Sequence, residues 1–99
     1  MIHITKDNFN EIISENEKVL IDFYATWCGP CKMIAPTIEA LDKELSDVCV
    51  CKADVDEVTD LAIRFGIEYI PTIVYIKNGE TQAKLTGLKS KEDILNILK

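Results

Sequence analysis

Val19-Leu20-Ile21-Asp22-Phe23-Tyr24-Ala25-Thr26-Trp27-Cys28-Gly29-Pro30-Cys31 is the stretch on which the reading of this chain turns. Its first six residues form a nearly continuous apolar run of strand length, the pattern of a strand covered on both faces. Beyond it, Met33, Ile34, Thr37, Ile38, Leu41 and Leu45 recur at helical spacing, which predicts a helix from about Pro30 to Leu45. Two cysteines therefore stand where a strand hands over to a helix. In a helical first turn Cys28 and Cys31 share one face, close enough for a reversible disulfide.

A helix N-terminus presents unpaired N–H groups and the positive end of the helix dipole, which favours thiolate over thiol at Cys28 and marks it as the nucleophile. Gly29 is expected to let the backbone pass tightly between the sulfurs. Pro30 costs no hydrogen bond, because a first-turn residue has no intrahelical N–H bond to lose, and it stiffens the loop. Asp22 is an ionisable group inside an apolar strand. Burial raises a carboxyl's pKa, so Asp22 reads equally as a structurally satisfied buried acid or as an acid/base partner for Cys31.

Composition narrows the function classes. Ninety-nine residues, 47% of them apolar, suffice for one domain with one sheet covered on both faces. Eleven basic residues against 17 acidic ones give a net charge of −6, which leaves nothing to neutralise phosphates and excludes a nucleic-acid partner. No apolar run approaches the ~20 residues of a membrane span, and Met1-Ile2-His3-Ile4-Thr5-Lys6-Asp7 lacks the regions of a signal peptide. A cytoplasmic protein with no membrane partner is the expectation if this is the whole translation product. In those reducing surroundings Cys-x-x-Cys should cycle rather than persist as a staple.

Along the chain, Ile2-His3-Ile4 reads as a short first strand, with Thr5 placed to cap a helix carrying Phe9, Ile12 and Ile13. His3 is the only histidine and sits in that terminal strand, so it reads as a surface or packing residue and cysteine-protease chemistry has no base. Pro36 is expected to kink the helix after the cysteines. Val48 to Val55 form an interior strand, in which Cys49 and Cys51 point the same way without bonding comfortably and read as small buried hydrophobes. A short helix starting at Asp56 or Thr59 stops at Gly66. Thr72 to Lys77 and Thr81 to Thr86 flank Asn78-Gly79 as a hairpin, and Ser90-x-x-Asp93 resembles a capping box before a last helix. Locally, Lys52 is a strand-end lysine, Pro71 is punctuation before a strand, and Gly87 ends one.

The run Asp22 to Pro36 resembles the thioredoxin family, supported downstream by Lys52-Ala53-Asp54-Val55-Asp56, Phe65-Gly66-Ile67, Ile70-Pro71-Thr72 and Asn78-Gly79. Together these span almost the whole chain. With the element order β-α-β-α-β-α-β-β-α, the resemblance implies an α/β thioredoxin fold, a mixed sheet of about five strands flanked by about four helices, in a single domain over residues 1–99. It implies a thiol–disulfide oxidoreductase that reduces protein disulfides through Cys28-Cys31. Such a protein is a monomeric redox carrier in electron transport and cell redox homeostasis, with no bound cofactor beyond its own redox-active disulfide. Its partners would be disulfide-containing proteins and a thioredoxin reductase, NADPH- or ferredoxin-linked.

Family members carry a buried Asp at the position of Asp22 that assists the second cysteine, and a lysine, here Lys52, whose side chain approaches it. The resemblance also makes Ile70-Pro71 cis and sets it against the active site, with the Ile70 backbone free for a substrate chain. Gly87 would join Trp27, Gly29, Pro30, Ile70 and Pro71 in a flat docking surface. Tyr24 stands where many relatives have tryptophan, and Glu68 adds negative charge beside that surface. Two rivals remain: a zinc module using Cys28, Cys31, Cys49 and Cys51, whose Cys-x-Cys half fits zinc spacing poorly, and a non-catalytic scaffold in which both active-site cysteines are dispensable.

Overall fold

The computed structural model describes residues 1–99. Its core is built on side-chain alternation along three strands: β2 (Lys18–Tyr24), β3 (Cys49–Asp54) and β4 (Thr72–Lys77). In β2 and β3 the odd-numbered residues Val19, Ile21, Phe23, Cys51 and Ala53 face one way, and there they meet Phe9 and Ile12 of α1 (Phe9–Glu15) and Leu61 of α3 (Thr59–Arg64). The even-numbered Leu20 and Val50 face the other way, against Ile34, Ile38 and Leu41 of α2 (Gly29–Glu44) and Ile94 of α4 (Lys91–Ile97). Both faces of the sheet are thus covered by helices, which is why these strands read as continuous apolar runs.

β1 (Ile2–His3) and β5 (Glu80–Thr86) complete a five-stranded sheet of order β1-β3-β2-β4-β5. β3 runs parallel to both β1 and β2, whereas β4 runs antiparallel to β2 and β5. The expected mixed sheet and element order are borne out. Asn78 and Gly79 take positive φ values of 54° and 80°, the conformation a two-residue hairpin loop requires. Ser90 and Asp93 form the capping box in both directions.

One detail differs from the sequence expectations. Thr5 caps an earlier turn: its Oγ1 accepts from the N–H groups of Asp7 and Asn8, and α1 starts only at Phe9. The hydroxyl satisfies the nearest free N–H groups, so the turn of residues 6–8 takes the cap and the helix follows it. α3 begins at Thr59, one of the two starts the sequence offered, without a side-chain cap on Val58. Pro36 lies within α2, which runs on through it from Gly29 to Glu44.

Candidate active site

The strand-to-helix handover places Cys28 at the N-cap of α2 rather than inside its first turn. Its backbone is extended (φ −88°, ψ 115°), and its sulfur takes the position of a capping oxygen, accepting the Cys31 N–H at 3.2 Å. The Cys31 N–H, one of the free donors of the first helical turn, is satisfied in this way. The Cys28 thiol also reaches the carbonyl of Ile70 at 3.8 Å. Both cysteines are buried and cluster with Ala25, while Tyr24, Val55 and Ile70 pack around them. Burial, and then the hydrogen bond with Cys28, push the Cys31 thiol up to about 12.

Gly29 corrects an expectation. A Cβ at this position would meet nothing within 4 Å, so no tight passage between the sulfurs demands glycine. The residue begins α2 and faces open space, because the N-cap turn has already separated the backbone from both side chains. Pro30 follows in the first turn, where its missing N–H costs nothing.

Behind Cys31, sheet parity puts Asp22 and Lys52 on the α2 side, opposite one another in the β2–β3 ladder. Both line a cavity of about 210 Å³ together with Tyr24, Ala25, Cys31 and Ala35. Asp22 is 2% exposed, and its Oδ1 has no hydrogen-bond partner in the protein. Burial raises its carboxyl from 3.8 to about 6, and the Lys52 charge opposes the rise. Lys52 forms no ion pair with it; the ammonium instead lies over the Tyr24 ring, 4.7 Å from the centroid.

On the outer side the Ile70-Pro71 bond is cis. The Ile70 N–H donates to nothing in the protein, and its carbonyl accepts only the Cys28 thiol. The Thr72 hydroxyl donates to the Tyr69 carbonyl at 2.6 Å, and the Gly87 N–H donates to the Pro71 carbonyl at 2.8 Å, which ties the end of β5 to this loop. Gly87 has φ +92°, a conformation that favours glycine. Trp27 is 69% exposed, and its Nε1 donates to Asp56 at 2.8 Å.

Cys49 and Cys51 lie elsewhere, against the cluster of α1 and α3, so the two cysteine pairs do not converge on one centre. No group of three or more His, Cys, Asp or Glu side chains is arranged to hold a metal ion. His3 lies on exposed β1. Sequence reasoning missed Asp56, the anchor of the Trp27 indole, and the Tyr24–Lys52 stack. It also missed exposed Tyr69, next to Ile70. An aromatic two residues ahead of a proline was the one signal available for any of these.

A family model described as thioredoxin matches residues 1–99. The chain belongs to the thioredoxin family. It is 41% identical to a thioredoxin of Staphylococcus haemolyticus, covering 99% of this chain and 94% of that one. It is 40% identical to a thioredoxin of Chlamydia muridarum, covering 96% and 92% respectively. Among solved structures, a Plasmodium falciparum thioredoxin superimposes with a TM-score of 0.92 at 37% identity, covering 99% of this chain and 97% of that one. A chain from work on thiol resolution in yeast mitochondrial 1-Cys peroxiredoxin by the glutathione and thioredoxin systems gives 0.90 at 36% identity, covering 99% and 93%. Family membership makes this protein a thiol–disulfide oxidoreductase, and Cys28 and Cys31 fit dithiol–disulfide exchange. Thioredoxins act without a bound cofactor, on disulfide-containing substrates and with a reductase partner.

Proposed function

We propose that the Cys28 thiolate attacks a protein disulfide, that Cys31 resolves the mixed disulfide, and that Asp22 takes the Cys31 proton. In the first step a bond forms between Cys28 Sγ and one substrate sulfur, the substrate disulfide breaks, and the other substrate sulfur leaves as a thiolate. In the second, Cys31 Sγ attacks Cys28 Sγ, the mixed disulfide breaks, and the substrate departs with two electrons. Cys28 and Cys31 are left oxidised to a disulfide.

The observation that carries this reading is the unpartnered Asp22 carboxyl oxygen, buried in a cavity shared with Cys31. A thiol held near 12 stays protonated while Cys28 acts, so the two sulfurs do not compete. Part of that rise comes from the hydrogen bond and charge of Cys28 itself. Once Cys28 sits in a mixed disulfide, that part is gone and the Cys31 proton is easier to remove. Lys52, stacked on Tyr24, acts as the positioning cation that keeps Asp22 from rising further.

Docking uses Trp27, Pro30, Ile70, Pro71 and Gly87, with Gly29 leaving the approach to Cys28 open. The free N–H of Ile70 supplies the backbone donor for an extended substrate segment. Cys31→Ser is expected to trap a stable mixed disulfide with a disulfide protein such as insulin, and Cys28→Ser to trap none. The reverse pattern would overturn the assignment of nucleophile. If Cys28→Ser, Cys31→Ser protein kept full biological activity, a scaffold role would replace this one.

The wider setting follows the same chemistry. Residues 1–99 act as a single monomeric domain, accepting electrons from a thioredoxin reductase and passing them to oxidised proteins, peroxiredoxin-like ones included. The Gly29-Pro30 dipeptide resembles that of the reducing members. A dithiol that donates electrons repeatedly needs surroundings that re-reduce it, which supports a cytoplasmic location and a part in electron transport. No helix is long and apolar enough to cross a membrane.

A further inference from the structure

The reaction above makes no use of Cys49 and Cys51, yet their sulfurs touch. Sγ of Cys49 lies 3.6 Å from Sγ of Cys51, on the side of β3 that faces α1 and α3. Strand alternation puts the two side chains on one face, and the contact goes beyond what that spacing alone requires. The two thiols sit in unequal surroundings. Cys51 is 0% exposed among Ile4, Val19 and Ile21. Cys49 is only half-buried and opens the strand. β1 pairs with Cys51 and Lys52 but stops short of Cys49, whose one ladder partner is Val19 of β2. The more accessible sulfur therefore sits at the end of the strand, where the ladder holds β3 from one side only.

Residues two apart on an extended strand have Cα atoms about 6.6 Å apart, at the upper end of the range of about 4.4–6.8 Å that disulfides span, and Cβ atoms farther apart than the roughly 3.5–4.5 Å a bridge needs, which is why spacing alone argues against a comfortable bond. Closing the sulfurs from contact to a bond of about 2.05 Å therefore takes side-chain rotation and a local buckling of the strand at Cys49, the end of β3.

We propose that Cys49 and Cys51 form a second redox centre, oxidised by hydroperoxides to a disulfide within β3. The Cys49 thiolate attacks the terminal oxygen of the hydroperoxide, the O–O bond breaks, and the alcohol or water leaves with a proton from solvent. Cys49 becomes a sulfenic acid. Cys51 Sγ then attacks Cys49 Sγ, the S–O bond breaks, and the hydroxide departs as water with the Cys51 proton. Two thiols have lost two electrons and two protons, and one hydroperoxide has been reduced. Burial, and then the neighbouring Cys49 sulfur, push the Cys51 thiol up, so Cys51 waits as the resolving partner and the first step falls to Cys49. Contact between the sulfurs intercepts the sulfenic acid before a second hydroperoxide reaches it.

The double variant Cys28→Ser, Cys31→Ser leaves these two as the only thiols. It is exposed to graded hydrogen peroxide, quenched, unfolded, and assayed for free thiols and intact mass. Both thiols should disappear together, the mass of the monomer should fall by about 2 Da, and dithiothreitol should restore both. Peptide mapping should place the bridge between residues 49 and 51. Three results would overturn the proposal: oxygen added at Cys49 with Cys51 still free, a dimer linked through Cys49, or intact thiols at a peroxide level that fully oxidises the Cys28-Cys31 pair. Adding Cys51→Ala to the double variant should send Cys49 on to the sulfinic acid, and an unchanged course of oxidation would also count against it. If that triple variant fails to fold, the mass result on the Cys51-containing protein decides alone.

Discussion

Asp22→Asn measures what the active-site carboxyl costs the fold. The side chain is 2% exposed, and burial raises its carboxyl from 3.8 to about 6, with Lys52 opposing. A difference of about 2 pH units corresponds to about 3 kcal/mol between the protonation states. The sign follows from proton counting. Between 3.8 and about 6 the folded protein holds a proton that the unfolded chain has released, so stability falls as pH rises through that window. Below it the carboxyl is neutral in both states, and above it the fold bears the whole cost of a desolvated carboxylate. Asparagine keeps the shape and cannot ionise. The variant should therefore match the parent at acidic pH and exceed it by about 3 kcal/mol at pH ~8. In guanidinium chloride, with a slope of roughly 3 kcal/mol per molar, the midpoint should rise by about 1 M. Chemical unfolding of both proteins at the two pH values is the assay. A stability difference that does not grow with pH, or a variant weaker at pH ~8, would refute the burial argument. The stabilised protein should also reduce disulfides more slowly, because Cys31 has lost its base.

Lys52→Met removes the charge that opposes the rise of Asp22, so the carboxyl should titrate above about 6, as read by its NMR chemical shift against pH; an unchanged midpoint would show that the stack on Tyr24 holds the ammonium out of effective reach. Ile38→Ala empties a 1%-exposed position on the sheet-facing side of α2 and should cost about 2–5 kcal/mol in chemical unfolding, with disulfide reduction little changed at temperatures where the protein stays folded. Ser90→Ala removes one arm of the capping box and should cost about 1 kcal/mol by the same measurement.

Much of this architecture was legible because it depends on near neighbours. Alternation in β2 and β3, the Asn78-Gly79 loop and the Ser90 cap are each decided within a few residues, and the structure repeats them. The two active-site cysteines were legible for the same reason, since a strand-to-helix junction is a local event. What the sequence could not reveal depends on packing between distant segments. The Trp27–Asp56 hydrogen bond joins a loop before α2 to one before α3, and no local pattern encodes it. The Tyr24–Lys52 stack requires the register between two strands. Spacing alone set Cys49 and Cys51 on one face, but the 3.6 Å between their sulfurs comes from side-chain rotation in a packed core. Gly29 was misread because its neighbours suggested crowding, whereas the N-cap turn opens that corner to solvent.

Alternation along β3 also makes the sheet a partition. Cys51 and Lys52 are adjacent in the chain, yet one belongs to the layer of α1 and α3 and the other to the cavity beneath α2. No thiol relay crosses between the layers, since the cysteine pairs belong to separate clusters. Any traffic of electrons between the two pairs must therefore pass through solution, from one copy of the molecule to another or by way of a small thiol. The rate of that exchange would rise with protein or thiol concentration, whereas a wire through the interior would be indifferent to both.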